Sequence, residues 1–247
     1  MASNYTFTVL DSVDSTNNYA MAKVHAGLAK HGDGWFAHNQ TTGKGQRGKK
    51  WLTGNGKNIA LSVIIKPSPL LVSEQFKLST AIALGCFDFF NLYAGDETKI
   101  KWPNDIYWRD RKAGGILIEN VIGTNSSWKF AIAGMGININ ETQFDPALKN
   151  VVSLKQITGR HFETIELAQQ LQQFVLKRVD ELFNTAFEKL LTEYNRNLYK
   201  INTPVRLKKN KIDFETVIKG VTETGKLYTV DRIDNFFDFG EVEWILQ

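Results

Sequence analysis

"KIKWPNDIYW", residues 99–108, packs a cation, an indole, a rigid ring, an amide and a carboxylate into Lys101, Trp102, Pro103, Asn104 and Asp105. Pro-Asn-Asp is turn chemistry, because proline presets φ and short Asn and Asp side chains bond nearby backbone. The flanks "TKIKW" (98–102) and "DIYW" (105–108) then read as two strands around that turn. Turn geometry explains neither Lys101 nor Trp102.

Outward from this hairpin, "GGILIEN" (114–120) and "SWKFAIAGMGIN" (127–138) read as two more strands. In the second, Trp128, Phe130 and Ile132 alternate with Lys129 and Ala131. Upstream, "NIALSVIIK" (58–66) is a short apolar run suited to a buried strand, and "GWFAHNQ" (34–40) is a strand feeding a glycine-rich loop. "SEQFKLSTAIALGCFDFFNLY" (73–93) is too long for a strand and reads as a core helix. "DSVDSTNNYAMAKVHAGLAKHG" (11–32) reads as a helix start capped by Asp14 or Ser15, with Tyr19, Ala20, Val24 and Leu28 near one face. From Thr164, apolar residues at helical spacing (Leu167, Leu171, Phe174, Val175, Leu182, Phe183) predict one long helix or two broken ones, to about Tyr194. After Pro204, short β-rich runs separated by "TETG" and "RIDN" predict a small antiparallel barrel or sheet. Such a unit is marginal alone and should pack on the main body. The expected division is a domain over 1–200 and a small one over 201–247.

The 247 residues are 43% hydrophobic and 23% charged, an ordinary soluble composition that can bury a core without disulfides or metals. No apolar run approaches the roughly 18 residues of a membrane span, and "MASNYTFTVLDS" lacks the features of a signal peptide. The single cysteine, Cys86, cannot form an intramolecular disulfide and reads as a core thiol; a cytoplasmic location is expected. A net charge of +4 and a pI near 9.0 fit a nucleic-acid binder, but also a protein that handles phosphates or an acidic partner. His25, His31, His38 and His161 show no metal-ligand spacing, which argues against a zinc site.

"TTGKGQRGKKW" (41–51) joins Gly43, Gly45 and Gly48 to Lys44, Arg47, Lys49 and Lys50. Glycines let backbone N–H groups close on an anion and the cations supply counter-charge. It is not a P-loop, and without a following helix it is not the dinucleotide fingerprint. An ordinary solvated loop is the competing reading. In "RDRKAGGILIEN" (109–120), Lys112 precedes two glycines, so it either points into a cleft or is an exposed hairpin charge. "AGMGININ" (133–140) is explained by a turn alone.

Together and in this order, the blocks resemble the biotin–protein ligases. "DSTN" (14–17), "NQTTGKGQRG" (39–48) with Trp51 closing the loop, "KWPNDIY" (101–107), "DRKAGGILIE" (110–119) and "GMGIN" (134–138) carry the resemblance. It covers residues 8–140 well and the C-terminal part more loosely, through "GVTETGKL" and "GEVEW". Lipoate ligases and octanoyl transferases share the fold but do not usually carry "KWPND". Some members add an N-terminal DNA-binding helix-turn-helix. With "DSTN" at residue 14 the chain looks like the short form, and no DNA binding is expected.

The resemblance implies an α+β fold: a mixed β-sheet catalytic domain with helices, of the class II aminoacyl-tRNA synthetase/biotin ligase type, plus a small C-terminal SH3-like β-barrel. It implies two steps, formation of biotinyl-5′-AMP from biotin and Mg-ATP, then transfer to a lysine of a biotin carboxyl carrier protein. By resemblance, Ser15, Thr16, Asn17, Gln40, Gly43, Trp51, Lys112 and Gly115 bind biotin. Lys44, Gln46, Arg47, Lys49, Trp51, Asn104, Asp105 and Asn138 serve ATP or the adenylate, Asp105 also magnesium, and Lys112 and Arg47 are catalytic. Many relatives carry arginine at the position of Gln46. The unliganded loop should be mobile and should order over the adenylate. The state is monomer or homodimer, with no membrane partner. The alternatives are a lipoate or octanoate enzyme of the same fold and, further off, a nucleic-acid-binding protein.

Overall fold

The structure is a computed structural model and describes residues 5–51 and 56–245. A seven-stranded sheet forms its centre. In chain order the strands are β1 (Phe7–Val13), β2 (Gly34–Gln40), β3 (Ile59–Ile65), β4 (Thr98–Lys101), β5 (Asp105–Trp108), β6 (Arg111–Ile122) and β7 (Trp128–Ile137). Their spatial order is β1-β2-β3-β7-β6-β5-β4. Only the β1–β2 pair is parallel, so the sheet is mixed. The hairpin predicted around Pro103 is β4–β5, with Lys101 opposite Asp105.

Two layers cover the sheet. On one face lie α2 (Gln75–Ala94) and α4 (Thr164–Asn184), with Phe36, Val63, Ile65, Ala131 and Ala133 beneath them in the main core. Gly85 lets these helices meet, because a Cβ there would stand 2.6 Å from Val175 Cα and 3.0 Å from Phe174 O. Phe89 and Phe90 of α2 are fully buried; truncating such a ring costs about 3–5 kcal/mol. On the other face α1 (Thr16–His25) packs Ala20 on Trp35, Ile64 and Ile132. At 10 residues α1 covers only part of that face, and the stretch of β6 and β7 beside its N-terminus is left for the site.

α3 (Leu154–Thr158) starts on a Ser153–Gln156 capping box. The long helical stretch breaks at Thr185–Ala186 into α4 and α5 (Phe187–Arg196). The C-terminal strands β8 (Pro204–Lys209), β9 (Ile212–Val221), β10 (Leu227–Val230), β11 (Asp234–Phe237) and β12 (Glu243–Trp244) form a second, antiparallel sheet, as an SH3-like unit requires. Trp102 ties the two sheets: its indole N–H donates to Gly225 O at 3.0 Å. The chain is therefore α+β, as expected.

Candidate active site

One row of the large sheet makes the floor. Lys101 lies opposite Asp105, Asp105 opposite Gly115, Gly115 opposite Gly136, and Gly136 opposite Ala60. Residues directly opposite in antiparallel strands share a face. The next row on that face is Leu117, Gly134 and Ser62. The glycines of "AGMGIN" are thus more than a turn. A Cβ on Gly134 would lie 2.3 Å from Asn17 Oδ1, and one on Gly136 2.3 Å from the Trp51 ring. Both side chains rest directly on the β7 backbone.

Lys112 reaches this face through a β-bulge. Ile106 pairs with Gly114 but Tyr107 pairs with Lys112, so Ala113 is the extra residue. The extra residue flips the alternation and brings Lys112 to the side of Asp105 and Gly115, as bulges near active sites do. Lys112 Nζ stands 2.6 Å from Asp105 Oδ1 and 5.8 Å from the centre of the Trp51 ring. A Cβ on Gly115 would lie 3.3 Å from that Asp105 oxygen and 3.4 Å from the ammonium, so the glycine leaves room for the pair.

The N-terminus of α1 supplies the polar wall. Ser15, Thr16 and Asn17 are buried. Ser15 occupies the N-cap, but its hydroxyl makes no capping bond, which corrects the local expectation. The cap comes from β2: the Thr16 N–H and hydroxyl both donate to Gln40 Oε1, at 2.9 and 3.2 Å. Ser62 Oγ lies 2.8 Å from Thr16 Oγ1 and 2.6 Å from Asn17 Oδ1. Asn17 Nδ2 donates to Glu119 Oε2 at 2.7 Å, and Glu119 Oε1 meets Lys44 Nζ at 3.3 Å. Sequence reasoning missed Ser62 and Glu119. The signal was there, since each is the lone polar residue inside an apolar run, "ALSVII" and "ILIE".

The glycine-basic loop folds back on itself. Trp51 N–H donates to Gly43 O at 2.9 Å, and Lys44 bridges to Lys50. Arg47 (φ 56°) and Gly48 (φ 72°) make the reversal. Gly43 serves this closure: a Cβ there would stand 2.4 Å from Trp51 O. The Arg47 guanidinium lies 4.9 Å from the Phe239 ring centre, towards the C-terminal sheet. Gln46 Nε2 and Asn104 Nδ2 both approach Ile116 O, at 3.4 and 2.7 Å.

Apart from Gly43, the predicted residues line two adjoining cavities. Ser15, Thr16, Asn17, Gln40 and Trp51 line a small recess of about 60 Å³. Lys49, Asp105 and Asn138 line an open one of about 650 Å³, and Lys112, Gln46 and Asn104 line both. Asn138 is tied to the backbone, its amide donating to Val152 O at 3.2 Å. Lys50, Lys101 and Lys149 add to the cations of the open cavity, against Asp105 and Glu243. Lys101 was unexplained by turn geometry and was not counted as a site residue. Its ammonium sits 5.1 Å from both the Tyr107 and Trp244 ring centres. Burial lowers its pKa to about 8, with Asp105 opposing the shift and Lys112 and Lys49 adding to it.

The arrangement can hold a polar ring system in the recess and a polyanion in the open cavity, with Lys112 at the seam. Among the described residues there is no group of three or more His, Cys, Asp or Glu that could hold a metal, and no helix is long and apolar enough to cross a membrane. Asp105 belongs to no such cluster, which suits a cation that arrives already bound to phosphates.

Residues 9–138 match the biotin/lipoate A/B protein ligase family. The chain is 28% identical to the bifunctional ligase/repressor BirA of Escherichia coli over 223 residues, which is 89% of this chain and 67% of that protein. It is 25% identical to the biotin–[acetyl-CoA-carboxylase] ligase of Paracoccus denitrificans, over 89% of this chain and 92% of the relative. The biotin protein ligase of Aquifex aeolicus, solved with biotin and ATP, superposes with a TM-score of 0.82 over 98% of this chain and 99% of that one, at 20% identity.

Proposed function

The chain belongs to the biotin/lipoate A/B protein ligase family, and on that premise we propose that it is a biotin–protein ligase. Biotin and Mg-ATP give biotinyl-5′-AMP and pyrophosphate. The activated acyl group then passes to a lysine of a biotin carboxyl carrier protein. The observation that carries the choice of acid is the polar wall of the recess, Gln40, Thr16 and Asn17, held from behind by hydrogen bonds to Ser62 and Glu119. A ureido ring needs fixed donors and acceptors in an otherwise apolar pocket, whereas the alkyl chain of octanoate or lipoate does not.

The steps follow from positioning and charge. With biotin's ring against Thr16, Asn17 and Gln40 and Trp51 packed over it, the carboxylate points to Lys112. The carboxylate oxygen attacks the α-phosphorus, the bond to the β-phosphate breaks, and pyrophosphate leaves with the electron pair. Lys112 offsets the charge that builds there, and Asp105 holds its ammonium in place. Arg47, Lys49 and Lys101 face the phosphates, whereas Lys44 lines the recess and is paired with Glu119. Asp105 gives one oxygen to the magnesium of the Mg-ATP substrate. Asn104 and Asn138 shape the adenylate side. In the second step the lysine amine attacks the acyl carbon, the C–O bond to phosphate breaks, AMP leaves with the electron pair, and the surplus proton goes to solvent. The unit over 201–247 acts as a separate domain that walls the nucleotide cavity with Phe239, Glu243 and Trp244.

The reading is tested by incubating purified protein with biotin, Mg-ATP and a recombinant biotin carboxyl carrier domain, and weighing the carrier by mass spectrometry. The expected result is one added biotinyl group, absent when the acceptor lysine is replaced. Addition of a lipoyl or octanoyl group instead would overturn the choice of acid.

A further inference from the structure

Strand β6 carries a carboxylate that the activation steps leave unused. Gly115, Leu117 and Glu119 alternate along the strand on the face that holds the site, and Glu119 lies opposite Ile132 beside α1. Its two oxygens have different partners. Oε2 accepts from Asn17 Nδ2 at 2.7 Å, and Oε1 meets Lys44 Nζ at 3.3 Å. Asn17 belongs to the polar wall of the recess and Lys44 to the glycine-basic loop. One carboxylate therefore stands between the wall and the loop.

On the Asn17 side, Glu119 sets which way the amide faces. An ionised carboxylate only accepts, so the amide nitrogen turns towards it. Oδ1 then lies 2.6 Å from Ser62 Oγ, and the side chain rests on Gly134, where a Cβ would stand 2.3 Å from Oδ1. A flipped amide would set its oxygen against the carboxylate. The recess thus presents donor and acceptor in a fixed pattern.

On the Lys44 side, Glu119 offsets the charge of the loop. Lys44, Arg47, Lys49 and Lys50 crowd into residues 44–50. Among the described residues, Glu119 is the only carboxylate ion-paired with any of them. Lys44 follows Gly43, whose carbonyl takes the Trp51 N–H at 2.9 Å, and it forms a β-bridge with Lys50. Holding Lys44 therefore holds both arms of the loop and the indole that follows. Side-chain exposures of 41% and 29% make the ion pair weak while water reaches it, and it strengthens once a ligand excludes that water.

We propose that Glu119 is a positioning residue that couples occupancy of the recess to closure of the glycine-basic loop. The inference rests on the ligase reading and adds a residue to it. Biotin that fixes the Asn17 amide also fixes the carboxylate, and the fixed carboxylate holds Lys44 and, through the loop, Trp51. Such coupling is reciprocal, so a change at Lys44 is felt in biotin binding, and only while the charge at Glu119 is present.

Lys44→Met, Glu119→Gln, Glu119→Ala and the double variant Lys44→Met/Glu119→Gln test this. Biotin affinity is measured by calorimetric titration without nucleotide. Escape of biotinyl-AMP, made on the protein from biotin and Mg-ATP, is followed by rapid gel filtration. Glu119→Gln keeps an acceptor for Asn17 and removes the charge, so escape should quicken about fivefold while biotin affinity falls by about twofold. Lys44→Met should match it in both, and the double variant should be no worse than either single one. Glu119→Ala also removes the acceptor, and biotin affinity should fall by about tenfold. Lys44→Met lies on the loop and keeps the test open should Glu119→Ala fail to fold. Escape unchanged in both Lys44→Met and Glu119→Gln would overturn the coupling. So would losses that multiply in the double variant, because the two residues would then act independently. Wild-type protein that neither binds biotin nor forms the adenylate is a different outcome and counts against the ligase reading itself.

Discussion

Lys112 and Asp105 face each other at 2.6 Å across a β-bulge, on strands whose simple alternation would have placed them on opposite faces. Side-chain exposures of 31% and 16% leave the pair at the edge of solvent, open to a ligand yet partly shielded from water. The pair joins the recess to the cationic cavity. Replacing Lys112 by Met should cut biotin-dependent exchange by about 10²–10³-fold, as loss of one charge-stabilising donor does. Biotin binding without nucleotide should change far less. Steady-state exchange rates and calorimetric titration with biotin measure the two separately.

Lys101 links stability to pH. Its folded pKa of about 8 lies below the unfolded value of about 10.5, so between those limits the unfolded chain binds more protons. Stability from this group therefore rises with pH across that window, and the penalty is complete below pH 8. The upper bound is about 3 kcal/mol. Lys101→Met should exceed wild type in stability at pH 7, and the difference should shrink as pH approaches 10. Urea unfolding of both proteins at several pH values provides the check. Mg-ATP should restore the proton: near pH 8.5 its binding should be accompanied by proton uptake, read from the buffer dependence of the binding enthalpy, and lost in Lys101→Met.

Gly136 is the seat of Trp51. A methyl group there would overlap the indole at 2.3 Å. Gly136→Ala should lift Trp51 off β7 and weaken biotin binding by about tenfold, with a stability loss of about 1 kcal/mol. Indole fluorescence during biotin titration reports both displacement and affinity. Gly85→Ala tests packing alone. It should lower stability by about 1–3 kcal/mol by parting α2 from α4, with exchange per folded molecule unchanged.

Gln46 holds a position where the family resemblance implies arginine, and its amide donates to Ile116 O at 3.4 Å. Without a guanidinium the adenylate has one fewer charged contact. Gln46→Arg should slow release of biotinyl-AMP, followed as adenylate lost from the protein on rapid gel filtration. Equal release from both proteins would show that Arg47 or Lys49 already compensates.

Much of this was legible in residue order. The β4–β5 hairpin followed from Pro103 and Asn104, β2 and β3 from their apolar runs, and α2 from the length of its run. The gathering of Thr16, Asn17, Gln40, Trp51 and Lys112 followed from the family resemblance, not from periodicity. What was not legible is non-local. The parallel pairing of β1 with β2 joins segments separated by α1. The N-cap of α1 is supplied by Gln40, 24 residues away. The bulge at Ala113 is a matter of register, which alternation alone does not reveal. The floor of Gly134 and Gly136 looks like a turn until the strand opposite is known. Lys101 and Trp102 were recognised as unexplained, and each proves to face the C-terminal unit, Lys101 over Trp244 and Trp102 bonded to Gly225.

The most direct measurement is ATP–pyrophosphate exchange by the purified protein in magnesium, with biotin, lipoate and octanoate compared side by side. Exchange supported by biotin and not by the other two acids is the expected result, and its loss in Lys112→Met would place it at this site. Exchange supported by lipoate or octanoate but not by biotin would contradict the assignment of the Thr16–Asn17–Gln40 recess to a ureido ring. Folded protein that exchanges with none of the three would contradict the ligase activity itself.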